Sequence, residues 1–233
     1  MSPTVLLFDI DGTLISTGGA GRRAMAGAFE AVCGPGGAGA LQGFSFAGMT
    51  DRAIVRAGLV AGGFTDDAGD VEARIDVVLE AYLVRIAVEV ASIEGYRVLP
   101  GVTQVLAWLA TLERVAVGLG TGNVRRGAMA KLARGALDAS FAFGGFGCDA
   151  EDRAALLRVG AGRGAEQLGV PVEGCRVVII GDTPKDVAAA AAIGAACIGV
   201  GTGGFSPDEL RGLGAFAAFA TLEADGVRDA LLG

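Results

Sequence analysis

Two short apolar runs that each end in acidic residues constrain this chain more than any other feature. The first is Val5-Leu6-Leu7-Phe8, followed by Asp9-Ile10-Asp11. The second is Val177-Val178-Ile179-Ile180, followed by Gly181-Asp182 and then Asp186. An unbroken apolar run without polar alternation is what a strand covered on both faces requires. Val115-Ala116-Val117-Gly118-Leu119 and Ala196-Cys197-Ile198-Gly199-Val200 repeat the pattern. Helical patterns fill the intervals, over 102–112, 125–137, 153–168 and 185–193. Strands alternating with helices of this length predict an α/β core with a Rossmann-like parallel sheet. Right-handed crossovers then bring the strand C-termini to one edge, and the acids with them.

Residues 16–95, between the first and second runs, contain no strand-like stretch. Over 71–90, Ile75, Val78, Leu79, Tyr82, Leu83, Ile86 and Val90 recur at helical spacing, with Glu72, Arg74, Asp76, Glu80, Arg85 and Glu89 largely on other faces. The glycine-rich stretch Gly34 to Gly43 reads as a loop or a connection between helices. The expectation is an all-α cap domain over 16–95, inserted into a core formed by 1–15 and 96–233. Its hinges fall at Gly18-Gly19 and around Glu94-Gly95-Tyr96.

Composition narrows the function by exclusion. With 52% hydrophobic residues the chain has ample material for a core. Its net charge of −7, without a basic stripe, argues against a nucleic acid partner. A small anionic substrate is compatible, because one locally positive pocket suffices. No basic segment followed by an apolar one precedes Asp9, so no secretory signal is expected. The most apolar long stretch, 187–201, falls short of a membrane span, so no membrane partner is expected either. Cys33, Cys148, Cys175 and Cys197 lack metal-type spacing and read as reduced thiols of a cytoplasmic protein. Histidine is absent, and the only lysines are Lys131 and Lys185.

Three stretches carry candidate chemistry. In Phe8-Asp9-Ile10-Asp11-Gly12-Thr13-Leu14, two carboxylates at i and i+2 on an extended segment project the same way. Crowding them at a strand end is costly unless a cation or a shared proton compensates. Asp-Gly is also ordinary turn chemistry, which accounts for Asp11 but not for Asp9. In Gly181-Asp182-Thr183-Pro184-Lys185-Asp186, both acids can reach one hard cation across a strand-to-helix turn. The competing reading is that Asp182 or Thr183 caps the helix carrying Asp186. In Leu119-Gly120-Thr121-Gly122-Asn123, a hydroxyl and free backbone N–H groups face a potential anion. Its G-x-G-x-G spacing is not that of a dinucleotide fingerprint.

Together and in this order, Asp-x-Asp-Gly-Thr-Leu, the Thr121 segment and Gly-Asp-x-x-x-Asp resemble the haloacid dehalogenase superfamily. The resemblance covers the whole chain and looks most like the phosphoglycolate phosphatase-like branch, with a helical cap after the first motif. It implies a Mg²⁺-dependent phosphatase acting on a small phosphorylated metabolite through an aspartyl-phosphate. Asp9 would be the nucleophile and Asp11 the acid/base. Thr121, with Gly122 and Asn123, would bind phosphate, and Asp182 and Asp186 would hold Mg²⁺ with Asp9 and the backbone carbonyl of Asp11. The family also needs a cation, usually a lysine before a helix. Cys148-Asp149-Ala150-Glu151-Asp152-Arg153 offers none, so Arg153 takes that place as a catalytic and phosphate-binding group, with Lys131 second.

Other chemistries of the superfamily fit less well. A dehalogenase normally lacks the carboxylate at Asp11, a phosphonate hydrolase needs a cap lysine that 16–95 does not contain, and a hexose phosphate mutase typically uses cap His and Lys residues. A non-catalytic binding or regulatory protein on the same scaffold is the alternative from another class. Within the insertion, Arg22, Arg23, Asp51 and Arg52 are the polar residues of interest, with a solvated helix face for the first two and a helix cap for Asp51 as the plainer explanation.

Overall fold

The structure, a computed structural model, describes residues 2–65 and 68–233. The chain runs through β1 (Thr4–Phe8), β2 (Ile15–Thr17), α1 (Ala20–Cys33), α2 (Asp51–Ala61), α3 (Ala68–Ser92) and β3 (Tyr96–Val98). It continues through α4 (Val102–Leu109), β4 (Val115–Gly120), α5 (Arg125–Ala133), β5 (Gly144–Gly145) and α6 (Arg153–Leu168). It ends with β6 (Arg176–Gly181), α7 (Pro184–Ala192), β7 (Ala196–Val200), α8 (Pro207–Gly212), β8 (Ala217–Phe219) and α9 (Val227–Leu232).

All strands except β2 and β3 form one six-stranded sheet in the order β5-β4-β1-β6-β7-β8, every pair parallel. The unbroken apolar runs are explained by cover on both faces. Leu6 and Phe8 of β1 pack with Val105 and Leu109 of α4, Leu132 of α5 and Leu231 of α9. The alternate residues Val5 and Leu7 pack with Leu156 and Leu157 of α6 and Val187 of α7. Each such side chain, taken fully out of water, contributes about 1.5–3 kcal/mol before the entropy of ordering it is counted. Strand β1 lies between β4 and β6, so the strand carrying Asp9 is central. This is the α/β class that the alternation predicts.

Within the insertion, α1, α2 and α3 enclose a separate apolar cluster. It includes Met25, Phe29, Leu41, Ile54, Leu59, Ile75, Tyr82 and Ile86. Leu41 belongs to a short 3₁₀ turn, Gly37–Leu41, inside the stretch expected to be irregular.

Three expectations need correction. The insertion does begin with strand residues: Ile15 pairs with Val98 and Thr17 with Tyr96 in an antiparallel ribbon, β2–β3. Three-residue strands are too short to show alternation in a sequence. At the base of this ribbon Gly18 has φ 55°, and a Cβ placed there would lie 3.1 Å from the Cα of Gly95, so the two expected hinge points touch. Helix α5 stops at Ala133 rather than 137, because the chain turns at Gly135 and Ala136 takes φ 53°. Helix α4 likewise ends at Leu109 rather than 112, its last turn closing through the Ala110 N–H to the Leu106 carbonyl.

Candidate active site

The register of the sheet assembles the site. Phe8 is level with Leu119 of β4 and Ile180 of β6, so the next residues out of all three strands meet at one edge. The Asp9 N–H extends the ladder, donating to the Ile180 carbonyl at 2.8 Å. Carboxylate oxygens of Asp9, Asp182 and Asp186 then lie within 4.8 Å of one another, all three side chains buried. The two acidic motifs converge.

That convergence is electrostatically unfavourable in the protein alone. Burial, reinforced by Asp186 and Asp11 and opposed by Arg153, pushes the Asp9 carboxyl up to about 6. Burial, with Asp9 and Asp186 as neighbouring like charges, pushes Asp182 up to about 8. Clustered hard oxygen donors, with Asp9 and Asp182 held above the usual carboxylate range by burial and by each other, suit a hard divalent cation.

Asp182 is held by the first motif. The hydroxyl of Thr13 donates to its Oδ1 at 3.0 Å. Gly12 sits at φ +85° with the position of a missing Cβ only 2.4 Å from Asp182 Oδ2. Turn and site are therefore one feature: only glycine adopts this conformation readily and leaves the carboxylate room.

Asp186 serves as both cap and charge. Thr183 is the N-cap of α7, and Asp186 Oδ2 accepts from the Thr183 N–H at 3.0 Å and from its hydroxyl at 2.6 Å. Asp186 Oδ1 accepts from Arg153 Nε at 2.9 Å and Nη2 at 2.5 Å. Arg153 Nη2 also lies 3.1 Å from Asp9 Oδ2. Arg153 is the first residue of α6, behind the Asp152 N-cap, which points its guanidinium at the sheet edge. Arg153 thus stands beside Asp9 and Asp186.

Lys131 engages a different partner. From α5 its Nζ donates to Asp11 Oδ2 and to Asn123 Oδ1, each at 2.6 Å. Asn123 Nδ2 donates to Asp11 Oδ2 and to Thr121 Oγ1, each at 2.9 Å. Burial disfavours the ammonium, but Asp11, Tyr82 and Asp51 outweigh it and hold the Lys131 pKa above the usual lysine range. Thr121 is fully buried behind Asn123, and Gly122 and Asn123 are the residues of this loop that line the cavity.

A cavity of about 330 Å³ opens between these groups and the helices of the insertion. Its far wall includes Arg22, Met25, Phe46, Met49, Ile54 and Tyr82. Arg22 stacks over Phe46, 4.1 Å from the ring centroid, and donates to the carbonyls of Leu41 and Phe44. Arg23 is exposed and pairs with Glu89, the solvated role foreseen for it. Arg52 pairs with Glu72 and Asp76.

Asp51 does something else. Thr50 caps α2, accepting from the Ala53 N–H, while Asp51 Oδ2 accepts from the Val124 N–H at 2.8 Å. The Asp51 N–H donates in turn to the Gly122 carbonyl at 2.8 Å. Burial pushes its carboxyl up to about 6 against the pull of Lys131 and the Val124 N–H. Tyr82, Met49 and Phe46 carried no polar signal in the sequence, because helical spacing marks Tyr82 as core and it is core on its other side. Lys131 carried a faint one: an arginine-rich chain keeps lysine at only two positions.

An α/β fold with Asp9 and Asp182 at the ends of adjacent strands and Asp186 beside them defines the class of this protein, and the comparisons agree. The model of the haloacid dehalogenase-like hydrolases matches residues 3–194. The chain belongs to that family and is a hydrolase. Among solved structures it is similar to a hydrolase from Pseudomonas syringae (22% identical, covering 94% of each chain, TM-score 0.64). It is similar also to a predicted phosphoglycolate phosphatase from Haemophilus somnus (15%, 98% of each chain, TM-score 0.67). A third is CbbY from Rhodobacter sphaeroides, solved in complex with phosphate (21%, 95% of each chain, TM-score 0.62). At these identities the likeness is one of fold. Among curated protein sequences none matches this chain. Among the described residues no helix is long and apolar enough to cross a membrane.

Proposed function

We propose that this hydrolase is a Mg²⁺-dependent phosphatase that cleaves a small phosphorylated metabolite through a phosphoryl group carried on Asp9. The observation that supports this best is the shared guanidinium of Arg153, 3.1 Å from the Asp9 carboxylate and bonded to Asp186. A cation fixed beside a nucleophilic carboxylate is what an incoming phosphate dianion needs. Asp9 and Asp182, with Asp186 and the backbone carbonyl of Asp11, are the groups that would hold Mg²⁺, and the ion would offset the repulsion between carboxylate and phosphate.

The steps follow from the side chains. A carboxylate oxygen of Asp9 attacks phosphorus, and the bond to the leaving oxygen breaks. Asp11 gives that oxygen its proton. Water then attacks phosphorus, Asp11 takes the proton released, and Asp9 leaves as the free carboxylate. Arg153 and the N–H groups around Gly122 and Asn123 bind the phosphoryl oxygens, while the buried Thr121 hydroxyl holds the Asn123 side chain behind them. No histidine is required, because Asp11 fills the acid/base role.

In this reading residues 16–95 act as a cap over a core of 1–15 and 96–233. The separate apolar cluster of α1–α3 and its docking through Asp51 support that division. The cavity is at the small end of ligand-site volumes, which favours a metabolite over a polymer. The unpaired thiols of Cys33, Cys148, Cys175 and Cys197 suit a reducing, cytoplasmic setting.

Phosphate release from p-nitrophenyl phosphate, with Mg²⁺ and with chelator, tests the proposal. Activity should require the metal and vanish in Asp9→Asn with the fold intact. Full activity in purified Asp9→Asn would overturn it.

A further inference from the structure

The phosphatase reading assigns Asp11 a proton but not the oxygen that carries it, and Lys131 no task at all. Three donor contacts settle on the Asp11 side chain and its neighbour: Lys131 to Asp11 Oδ2, Asn123 to the same Oδ2, and Lys131 to Asn123 Oδ1. They close a triangle. The orientation of the Asn123 amide within it is dictated by charge, since the flipped amide would set its oxygen against a carboxylate and its NH₂ against an ammonium. Thr121 Oγ1 accepts the second Asn123 N–H and completes the brace.

The members of this brace differ in exposure in a telling way. The Lys131 side chain is 5% exposed, whereas that of Asp11 is 42% exposed. One edge of the Asp11 carboxylate is therefore pinned from below and the rest of it is open to the cavity. Lys131 is packed in from above by the insertion, with Tyr82 beside it and Gly21 of α1 leaving only 3.6 Å between its missing Cβ and Nζ. Arg153 by contrast engages Asp9 and Asp186, and the two cations share no partner.

Resting on the phosphatase reading, we infer that Lys131, through Asn123 and Asp11, is a positioning residue for proton transfer rather than a phosphate ligand. By occupying Oδ2 it leaves Oδ1 as the oxygen that exchanges the proton with the leaving group and with water. A carboxyl oxygen already accepting two N–H bonds is the poorer site for a proton, and Asp11 lines the cavity that would take the substrate. In the first step the Oδ1–H proton passes to the leaving oxygen as its bond to phosphorus breaks. In the second, Oδ1 takes one proton from the attacking water.

The test uses leaving groups that differ in their need for that proton. An alkyl phosphate expels a strongly basic alkoxide, and p-nitrophenyl phosphate expels a stable phenolate. Lys131→Met should lower kcat on the alkyl phosphate by roughly 100-fold but on p-nitrophenyl phosphate by less than about 10-fold, with KM and inhibition by inorganic phosphate nearly unchanged. Lys131→Arg, which keeps a donor at the same place, should recover part of the alkyl phosphate rate. If Lys131→Met does not fold, Lys131→Gln, which removes the charge at similar length, carries the comparison. Equal losses on both substrates, or weaker inhibition by phosphate, would overturn the inference alone. No phosphate release from either substrate by the unaltered enzyme would overturn the phosphatase reading, and the inference with it.

Discussion

Arg153 joins Asp9 to Asp186, with one guanidinium nitrogen 3.1 Å from the first carboxylate and 2.5 Å from the second. Both acids are buried, so the arginine is a structural counter-ion as well as the proposed phosphate ligand. Removing it as Arg153→Ala leaves two buried carboxylates unmatched. The expected cost is about 3–5 kcal/mol, read from urea unfolding, together with loss of turnover. Arg153→Lys should recover part of both the stability and the activity, because an ammonium keeps the charge at this place but not the planar fork that serves both acids.

Magnesium dependence should change with pH in a definite direction. Asp182, pushed up to about 8, and Asp9, pushed up to about 6, hold protons in the folded protein that an unfolded chain releases nearer the ordinary value of 3.8. The folded state therefore binds more protons across that window, and the metal-free protein should lose stability as pH rises through it. Metal binding needs the ionised carboxylates, so Mg²⁺ should raise Tm more at about pH 8 than at about pH 5.5. Thermal melts at the two pH values, with Mg²⁺ and with chelator, check this. A Tm gain independent of pH would count against these residues as the ligands.

Gly12→Ala should injure metal binding without replacing a ligand. Its φ of +85° penalises any side chain, and the added methyl would press on Asp182 Oδ2. Strain of about 1–2 kcal/mol is expected from the backbone alone. Asp182 must shift to admit the methyl, so the Mg²⁺ concentration for half-maximal activity should rise several-fold. A Mg²⁺ titration of activity measures it.

Asp51→Ala should loosen the contact between α2 and the loop after β4. The Val124 N–H, now bonded to Asp51 Oδ2, would be left without its acceptor, at a cost of about 1–3 kcal/mol. Amide exchange at Val124 should quicken, while the far strands β7 and β8 keep their protection. Unchanged exchange at Val124 would show that this contact is not what holds α2 in place.

The sequence made the core legible because a strand buried on both faces has to be continuously apolar, and β1, β4, β6 and β7 are so apart from Thr4 and Arg176 at the first positions of β1 and β6. Helix α6, with Asp152 before it and Gly169 after it, shows both of its ends. The strands β2, β3, β5 and β8 were invisible because two or three residues cannot display a period. Asp9, Asp11, Asp182 and Asp186 were legible as a group since each ends or follows an apolar run. What the spacing could not convey was which partner each group takes. Lys131 lies within a helix with no polar neighbour in sequence to announce its role, and only the fold brings it under Asp11. Asp51 looked like a cap, but the threonine before it took that position and freed its carboxylate for Val124.

The dual use of Asp186 has a consequence for anyone altering this protein. One of its oxygens secures the opening turn of α7 and the other steadies Arg153, which in turn borders Asp9. Changes at Thr183 or Pro184 made to harden the protein against heat would thus be transmitted to the Asp9 carboxylate, although neither side chain belongs to the acidic group. Durability and turnover are coupled at this corner of the molecule, and improving one in isolation calls for changes at the β8 edge instead.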